Sequence, residues 1–405
     1  MTNGQCDQRA VRLGIVGLGS MGSAHARAIA DGKIAGLLLA AVCDIDKSRR
    51  TWAQENLTEV PFFVDYRQML SSGLLDAVLI ATPHYLHPPI AVEAFGEGLH
   101  VLTEKPAGVR VSDVLGMNQA AEKSGKSFGI MFNQRTNPLY AQARDLVRQG
   151  TLGTIKRACW VVTNWYRTQA YYDSGDWRAT WAGEGGGVLI NQAPHNLDLW
   201  QWICGMPQSI YAHCAEGHYH QIEVEDDCTI FAVYPNGATA TFITATGENP
   251  GTNRLEIIGD SGKIVIEDHT LKLWQLQCSE RKVCAQADRD MSENIPASYR
   301  EFSTDAVDCG CEHIRILQNF TDHILHGAEL IAPGADGLYA LSISNAAYLS
   351  AWENRTVSLP LSPADLALFD AHLARKIAQS AYHKKESFKE RTEGGAYQTR
   401  WLRHW

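Results

Sequence analysis

The sequence predicts an α/β protein of two domains, with a doubly wound parallel sheet in the first and a mainly antiparallel sheet in the second. Three observations lead to this prediction. The chain has 405 residues, which exceeds one ordinary hydrophobic core. Apolar runs alternate with amphipathic segments as far as about residue 150. From about residue 151, short strand-like runs joined by turn sequences take over.

Residues 1–150 are predicted to form the parallel sheet. Six apolar runs are typical of buried strands: RLGIVG, LLLAAVCD, VPFFVD, DAVLIAT, HVLTEK and SFGIMFN. Most of them are followed by amphipathic segments such as SAHARAIADG, PPIAVEAFGEG and VSDVLGMNQAAEKSG. Strands that alternate with helices in this way indicate a parallel sheet with helices on both faces.

Residues 151–375 are predicted to form the second domain. The runs TIKRACWVVTNW, CTIFAVYP, ATATFITAT, RLEIIG and KIVIED, with turns such as PNG and GDSG, indicate antiparallel hairpins. Helices are predicted in GVLINQAPHNLDLWQWICG, CEHIRILQNFTDHILHG and ADGLYALSISNAAYLSAWE. The polar stretch 276–311 is predicted to be an irregular surface excursion, and residues 376–405 a charged C-terminal tail.

The composition is that of a globular protein, with 45% hydrophobic and 20% charged residues. A formal net charge of −9 argues against nucleic acid or an anionic membrane as partner, because both require clustered Lys and Arg. No signal segment or membrane span is recognised, and the ten cysteines are scattered, so we expect a cytoplasmic protein with reduced thiols. Cys309 and Cys311 lack further nearby ligands, and no metal site is predicted.

A glycine-rich turn, GLGSMG, follows the first predicted strand and opens the first predicted helix. Gly17 permits the tight turn, Gly19 lets the backbone approach a pyrophosphate, and Gly22 allows close helix–strand packing. Ser20 and Met21 stand at the helix start, where amide groups and the helix dipole favour phosphate. The turn therefore predicts a dinucleotide-binding Rossmann domain.

The second predicted strand ends in Asp44, 22 residues after Gly22. An acidic side chain there accepts hydrogen bonds from the adenosine ribose hydroxyls and repels a 2′-phosphate, so NAD is favoured over NADP. Arg49 and Arg50 follow and can weaken this preference. The alternative is that Asp44 caps the next helix, which starts near Asp46.

Polar residues follow three later strands, at the edge where open parallel sheets bind ligands. The sequences are ATPHYLH, TEKP and NQR, and we expect cofactor contacts from Thr82, Pro83, His87, Glu104, Lys105, Asn133 and Arg135. Lys105 precedes Pro106, whose ring fixes the backbone, and it lies close to the expected nicotinamide position. It is a candidate catalytic ammonium, and the alternative is a solvated surface cation.

Together these motifs resemble the glucose-fructose oxidoreductase/inositol dehydrogenase/rhizopine-catabolism (Gfo/Idh/MocA) family. The resemblance rests on VGLGSMG, ATPHYLH, EKP and GGGVLINQAPHNLDLWQW, and covers about residues 11–355. It implies an N-terminal Rossmann domain, a second α/β domain with an open, mainly antiparallel sheet, and NAD(P)-dependent oxidation or reduction of sugars, cyclitols and their derivatives. It also implies that Lys105 is the catalytic lysine and that the open sheet face commonly pairs into homodimers or homotetramers. Glu104 is expected to contact nicotinamide-side groups or neighbouring backbone.

Asn191, His195 and Asp198 are spaced at i, i+4 and i+7 within one predicted helix and would share a face. Pro194 is expected to bend this helix in the preceding turn. His195 is the candidate acid or base, because an imidazole titrates near pH ~6.5; the alternative is a packed core histidine. The family usually has aspartate where this chain has Asn191, so we expect a less basic His195 and greater reliance on Lys105. Asp198 is expected to support the catalytic residues from behind, or to bind a backbone group or an arginine.

An aromatic, polar stretch, NWYRTQAYYDSGDWRATWAGEGGG, precedes that helix. Aromatic faces with Arg and Asp suit a polyhydroxylated ring, which offers C–H faces and hydroxyls. We expect substrate contacts from Trp165, Tyr166, Tyr172, Trp177 and Arg178, in addition to Lys105, Asn191 and His195. The alternative is a loop packed over the sheet or a subunit contact.

The sequence thus predicts an NAD-dependent enzyme that oxidises a ring hydroxyl of a sugar, glycoside or cyclitol to a ketone. Lys105, His195 and Asn191 are its predicted catalytic residues. One alternative is a redox-neutral enzyme with tightly bound NAD, in which transient oxidation permits elimination, glycoside cleavage or internal redox exchange. Another is a non-catalytic sensor of NAD and sugar.

Overall fold

The computed structural model describes residues 10–57, 59–175, 177–286, 295–303 and 311–380. The strands of the first domain are β1 (Val11–Val16), β2 (Leu37–Cys43), β3 (Phe62–Phe63), β4 (Ala77–Ile80), β5 (His100–Thr103) and β6 (Phe128–Ile130). They form one sheet in the order β3-β2-β1-β4-β5-β6, with all neighbours parallel. The predicted parallel sheet is therefore confirmed.

The helices of this domain connect successive strands. They are α1 (Ser20–Ala30), α2 (Lys47–Asn56), α3 (Tyr66–Leu70), α4 (His87–Gly96), α5 (Val111–Ser124) and α6 (Pro138–Arg148). Polar side chains start three of them: Asp46, Asp65 and Asn137 each accept a hydrogen bond from the backbone amide two residues further on.

The strand order places a switch point between β1 and β4, which are neighbours although β2 and β3 separate them in sequence. All six strands are parallel, so their carboxyl ends meet at one edge, and a crevice opens outside the switch point. The predicted glycine-rich turn and the three polar strand-end sequences all lie at this edge.

The second domain contains a nine-stranded sheet. Its strands are β7 (Ile155–Val162), β8 (Ser209–Glu216), β9 (Glu225–Val233), β10 (Thr239–Ala245), β11 (Asn253–Gly259), β12 (Gly262–Glu267), β13 (Thr270–Leu276), β14 (Ala297–Ser303) and β15 (Val357–Ser358). The order is β14-β13-β12-β11-β7-β10-β9-β8-β15. Among the described strands of this second sheet, only β7 and β10 pair in parallel, and the other neighbours are antiparallel. The predicted mainly antiparallel sheet is confirmed.

The helices of this domain are α7 (Gln169–Asp173), α8 (Pro194–Cys204), α9 (Glu280–Cys284), α10 (Glu312–His326), α11 (Gly337–Glu353) and α12 (Pro363–Gln379). Twelve of the 17 residues of α11 are buried, and this helix packs on β8, on α8 and on α5 of the first domain. It therefore belongs to the cores of both domains at once.

The stretch 276–311 is less irregular than predicted. It contains α9, and β14 pairs with β13 in a continuous antiparallel register that sets Arg300 opposite Leu273. The strand was missed because it lies at the sheet edge, where six of its seven side chains are exposed and no apolar alternation marks it. The predicted tail from residue 376 begins inside α12, and residues 381–405 lie outside the described residues.

One face of the second sheet exposes aromatic side chains. Tyr211 and Phe231 stand directly opposite each other on β8 and β9 and are 43% and 46% exposed. The predicted subunit contact would cover such a face. None of the described helices combines the length and apolar character needed to cross a bilayer.

Asn345 of α11 joins the two domains behind the ligand edge. Its Oδ1 accepts a hydrogen bond from Val111 N at 3.1 Å, and its Nδ2 donates to Val109 O at 3.0 Å. Asn345 is fully buried, and both valines are at most 5% exposed, so water does not replace these bonds.

Replacing Asn345 by Ala should lower the free energy of unfolding by about 2–4 kcal/mol, because an amide and a carbonyl lose their partners in a buried place. Urea denaturation measures the change. Tyr339→Ala, at a 42% exposed position of the same helix, is the control and should shift stability by less than about 0.5 kcal/mol. Equal effects of the two substitutions would contradict the joining role of Asn345.

Candidate active site

The glycine-rich turn leaves room for a phosphate. Gly17 has φ +92°, and a β-carbon there would lie 2.6 Å from Ala81 O at the end of β4. A β-carbon at Gly22 would lie 1.8 Å from Gly17 O, so the helix packs closely on the turn. A β-carbon at Gly19 would meet no described atom within 4 Å. The open space is therefore at the glycine expected to face pyrophosphate.

The first turn of α1 borders this space. Gly19 is the residue that precedes the helix, and it has no side chain with which to cap the amide groups that follow. Ser20 and Met21 open the helix and are only partly buried. The helix start thus offers the backbone donors and positive dipole end that an anionic group prefers.

Asp44 lies beside this turn. Its Oδ2 accepts a hydrogen bond from Leu18 N at 2.6 Å, and its Oδ1 accepts one from Asp46 N at 2.9 Å. Asp46, not Asp44, caps α2, since Ser48 N donates to Asp46 Oδ1 at 2.7 Å. The capping alternative for Asp44 is therefore wrong, and the carboxylate stays at the ligand edge. Ile45, which is 86% exposed, adds an apolar surface suited to an adenine ring.

Two orphaned polar atoms lie at the strand ends. Thr82 Oγ1 and Asn133 Oδ1 are buried and make no hydrogen bond to any described residue. Pro83, next to Thr82, is exposed. Buried polar atoms without partners at a ligand edge are typical of a site that binds a polar ligand. This edge fits a dinucleotide.

His87 does not have the position predicted for a cofactor ligand. It is fully buried, with Nδ1 2.7 Å from Pro106 O and Nε2 2.7 Å from Thr82 O. Its ring joins the turns after β4 and β5, so both nitrogens are occupied by backbone oxygens. Burial lowers the pKa of His87.

Arg135 is also placed elsewhere. Its guanidinium is buried and donates to Asp198 Oδ2 at 2.8 Å, to Asp198 Oδ1 at 2.6 Å and to Asp336 at 2.7 Å. It joins the first domain to α8 and to the turn before α11, and the prediction that it binds the cofactor has no support in this geometry. Of the roles expected for Asp198, the structure shows binding to an arginine.

Glu104 contacts a residue that the sequence analysis missed. His25 Nε2 lies 2.7 Å from Glu104 Oε1, and both residues are buried. Glu104 Oε2 also accepts a hydrogen bond from Lys105 N at 3.2 Å. Burial acts to raise the pKa of Glu104, but the hydrogen bond from His25 and the charges of His25, His313 and Lys105 together hold that pKa below its usual value. A histidine on the apolar face of α1 was the available signal.

Lys105 reaches across to the second domain. Its Nζ donates a hydrogen bond to Asn191 O at 2.7 Å. Burial lowers the pKa of Lys105 to about 8; Arg167 and Arg178 lower it further, while Glu104 and Glu184 raise it. The alternative of a solvated surface cation is wrong, because this ammonium is held between the domains.

His195 lies in the first turn of α8 and is 3% exposed. Burial, then the charges of Lys105 and His313, lowers its pKa well below the usual range. Burial is the first cause of this decrease, and the expected effect of Asn191 on the basicity of His195 stays a prediction. The lowered pKa favours the uncharged form of this imidazole at neutral pH.

Asn191 does not share a helical face with His195, in contrast to the prediction from their spacing. The helix begins at Pro194, and Asn191 belongs to the turn before it, where its main-chain amide donates to Gly187 O at 2.9 Å. Pro194 starts the helix instead of bending it, because proline lacks the amide hydrogen that the first helical position does not need. Asn191 therefore presents its main-chain oxygen to Lys105.

The side chain of Asn191 contacts two further residues that the sequence analysis missed. Its Nδ2 donates to Glu184 Oε1 and lies 3.4 Å from Tyr171 OH. Tyr171 OH also accepts a hydrogen bond from Arg178 Nη1 at 2.9 Å and one from Gln192 Nε2 at 3.2 Å. Glu184, a charged residue directly before three glycines, was the signal in the sequence.

The aromatic stretch divides into core and cleft residues. Trp165 and Tyr172 are at most 2% exposed, and their polar atoms bond to Asn196 Oδ1 at 3.1 Å and Thr246 Oγ1 at 2.7 Å. These core positions give no support to the predicted substrate contacts of Trp165 and Tyr172. The short helix α7 turns Tyr172 into the core and its neighbour Tyr171 toward Asn191.

Trp177, Arg178 and Tyr166 remain at the surface of the second domain. Arg178 stacks over Trp177 at 4.6 Å, and the Trp177 ring lies 5.5 Å from that of His84. His84 Nδ1 lies 2.9 Å from Glu184 O, which links the strand end after β4 to this wall. Tyr166 is 42% exposed. The described residues contain no group of three or more His, Cys, Asp or Glu that could hold a metal ion.

Two family models match the chain. The model described as "Oxidoreductase family, NAD-binding Rossmann fold" matches residues 11–132, and "GFO/IDH/MocA C-terminal domain" matches residues 140–265. The NAD-binding Rossmann domain predicted from the glycine-rich turn is thereby confirmed.

Individual relatives agree with these matches. The rhizopine catabolism protein MocA of Rhizobium meliloti is 32% identical over 195 residues, which are 48% of this chain and 57% of that protein. Inositol 2-dehydrogenase of Arthrobacter sp. (strain FB24) is 32% identical over 146 residues, 36% of this chain and 43% of that protein. The chain thus matches about half the length of these two relatives.

A solved structure extends the comparison to the whole fold. The WlbA dehydrogenase from Bordetella pertussis, in complex with NADH and UDP-GlcNAcA, is 27% identical with a TM-score of 0.73. The match covers 87% of this chain and 100% of that chain. It supports NAD as the cofactor of the crevice at the end of β1.

The partly buried ammonium of Lys105 should lose its proton near pH 8 in the folded protein. Acetylation with pulses of acetic anhydride, quantified on the Lys105 peptide by mass spectrometry, measures this, because only the neutral amine reacts. The rate should rise with a midpoint of about 8. A lysine in a short peptide titrates near ~10.4, and the same midpoint for Lys105 would contradict the described burial.

Proposed function

The chain belongs to the Gfo/Idh/MocA oxidoreductase family, and we propose that it oxidises a ring hydroxyl of a sugar, glycoside or cyclitol to a ketone with NAD. The proposal rests above all on the contact between Lys105 of the first domain and Asn191 of the second, four residues before His195. This contact and the charge interaction between Lys105 and His195 support a site in which an amine with a lowered pKa acts beside an imidazole with a lowered pKa.

NAD, when bound, supplies the hydride acceptor. The substrate carbon gives up its hydride, the hydroxyl oxygen gives up its proton, and a C=O bond forms. Lys105, as the neutral amine, accepts that proton, and its pKa near 8 suits this task at physiological pH. His195 stays uncharged and orients the hydroxyl by a hydrogen bond, since its lowered pKa makes it the weaker base.

A carbohydrate suits the wall formed by the second domain. Trp177 and the partly exposed Tyr166 offer flat apolar surfaces for the C–H face of a ring, while Tyr171 and Arg178 offer hydrogen-bonding groups. Assembly into a homodimer or homotetramer and a cytoplasmic location remain predictions from the sequence.

Lys105→Ala should lower kcat by about 10²–10⁴-fold and leave the Kd for NADH within about threefold, because it removes proton transfer without touching the phosphate turn. NADH absorbance with a panel of sugars and cyclitols measures turnover, and NADH fluorescence measures binding. Lys123→Ala, at an exposed position on α5, is the control and should keep full turnover. Unchanged turnover in Lys105→Ala would contradict the proposed role.

The same assay separates the other two functions. A redox-neutral enzyme would form product without net NADH, and a sensor would bind NAD and sugar without forming product.

For the dehydrogenase, kcat/KM for oxidation should rise as the pH increases through about 8, because Lys105 must be neutral to accept a proton. For the reverse reduction, the protonated amine is required, and kcat/KM should fall over the same range.

Asp44→Asn should weaken binding of NADH by about 10–100-fold and weaken that of NADPH much less, because it removes the charge and keeps the shape. Fluorescence titration with both cofactors gives the ratio of the two Kd values. Asp46→Asn, which changes the exposed cap of α2, is the matched control. If both variants kept the wild-type ratio, Asp44 would not select the cofactor.

A further inference from the structure

Glu184 is a buried carboxylate directly before the three glycines of the second domain. It is 1% exposed. Its Oε1 accepts a hydrogen bond from Asn191 Nδ2, and its Oε2 accepts one from Ala179 N at 2.6 Å. Its main-chain oxygen lies 2.9 Å from His84 Nδ1. The side chain is therefore fixed at both oxygens and the main chain at a third point.

The residue that donates one of these hydrogen bonds, Ala179, has an unfavourable backbone conformation. Ala179 has φ +57°, a left-handed conformation that residues other than glycine rarely adopt. Such conformations persist where the surrounding structure holds them, and they concentrate at functional sites. The hydrogen bond from Ala179 N to Glu184 Oε2 helps to hold Ala179 in this conformation. The position of the carboxylate is thus maintained against backbone preference.

Asn191 connects this carboxylate to the proposed proton acceptor. Its side-chain amide donates to Glu184, while its main-chain oxygen accepts from Lys105 Nζ at 2.7 Å. The contact with Glu184 fixes the side chain of Asn191, so the residue that accepts the hydrogen bond from Lys105 is held at its side chain as well as at its main chain.

The charge of Glu184 also acts on Lys105, in addition to the hydrogen bonds through Asn191. Glu184 stabilises the ammonium of Lys105, and the guanidinium groups of Arg167 and Arg178 oppose it. Other titratable groups whose charges interact with Lys105 are Glu104 on the same turn, His84 and His87 after β4, His195 on α8 and His313 on α10. Glu184 is the carboxylate of this set that the second domain contributes.

We propose that Glu184 is a positioning residue that acts on Lys105 through Asn191, holding the amine at the substrate and setting its affinity for the proton. This inference rests on the proposed function in one respect only, namely that Lys105 receives the substrate proton. The orientation and the charge of the carboxylate can be tested whether or not that reaction occurs.

Glu184→Gln tests the charge, because an amide keeps the size and an acceptor oxygen. The acetylation midpoint of Lys105 should move to lower pH by about one pH unit, since the ammonium loses a stabilising charge. The pH at which kcat/KM for oxidation rises should move in the same direction. The double variant Glu184→Gln/Asn191→Asp returns a carboxylate to the adjoining side chain and should move both midpoints back toward the wild-type values.

Glu223→Gln is the matched control. Glu223 lies two residues before β9, and its Oε1 accepts a hydrogen bond from Trp181 N at 2.9 Å. This variant should leave the acetylation midpoint of Lys105 unchanged. Thermal unfolding of each variant shows whether a change in activity reflects lost structure.

The outcomes separate the two proposals. An unchanged acetylation midpoint in folded Glu184→Gln overturns the inference about Glu184, whatever happens to turnover. A shifted midpoint without any dehydrogenase activity in the wild-type protein supports the action of Glu184 on Lys105 and overturns the proposed function instead. A lower kcat with no shift of either midpoint would indicate a purely structural role and would also overturn the inference.

Discussion

The site depends on one hydrogen bond between the domains, from Lys105 Nζ to Asn191 O. An ammonium taken out of water is stable only where oxygen atoms and negative charge replace its hydration. The first domain supplies the nitrogen on a strand-end turn, and the second supplies the oxygen from the turn before α8. Neither domain alone holds this nitrogen in place, so the chemistry of the crevice requires a fixed arrangement of both.

Buried polar contacts on either side of that bond provide this arrangement. Arg135 pairs with Asp198 through two parallel hydrogen bonds, a geometry that fixes direction as well as distance. Tyr85 OH donates to Trp181 O at 2.6 Å, and Asn345 bonds the chain that follows the Lys105 turn. A displacement of about 1 Å between reacting groups is enough to slow an enzyme strongly. These contacts therefore support the proposed proton transfer as well as the stability of the fold.

The features that could be predicted from the sequence are those that local backbone rules determine. Glycines between a strand and a helix indicate a phosphate turn, and the proline after Lys105 indicates a fixed backbone at the strand end. Side-chain direction in irregular segments could not be predicted in this way. His87 follows a strand end, where a cofactor-binding residue is expected, but its ring connects two turns. This could not be predicted, because only the fold shows which carbonyl oxygens surround the ring. The single turn of α7 decides between Tyr171 and Tyr172, and so short a helix leaves no periodic signal in the sequence.

The glycine-rich turn of the second domain shows why such a site is held by buried carboxylates. Glu225 of β9 accepts hydrogen bonds from Gly187 N and Leu189 N, both at 2.9 Å, and from Tyr348 OH at 2.7 Å. A β-carbon at Gly187 would lie 1.9 Å from Glu225 O, so the turn packs directly on the strand. Apolar packing alone cannot fix a glycine turn, because it has no side chains to pack. Hydrogen bonds from the amides of the turn to the Glu225 side chain can fix it. Asn191 follows Gly187 by four residues, so its position depends on this turn.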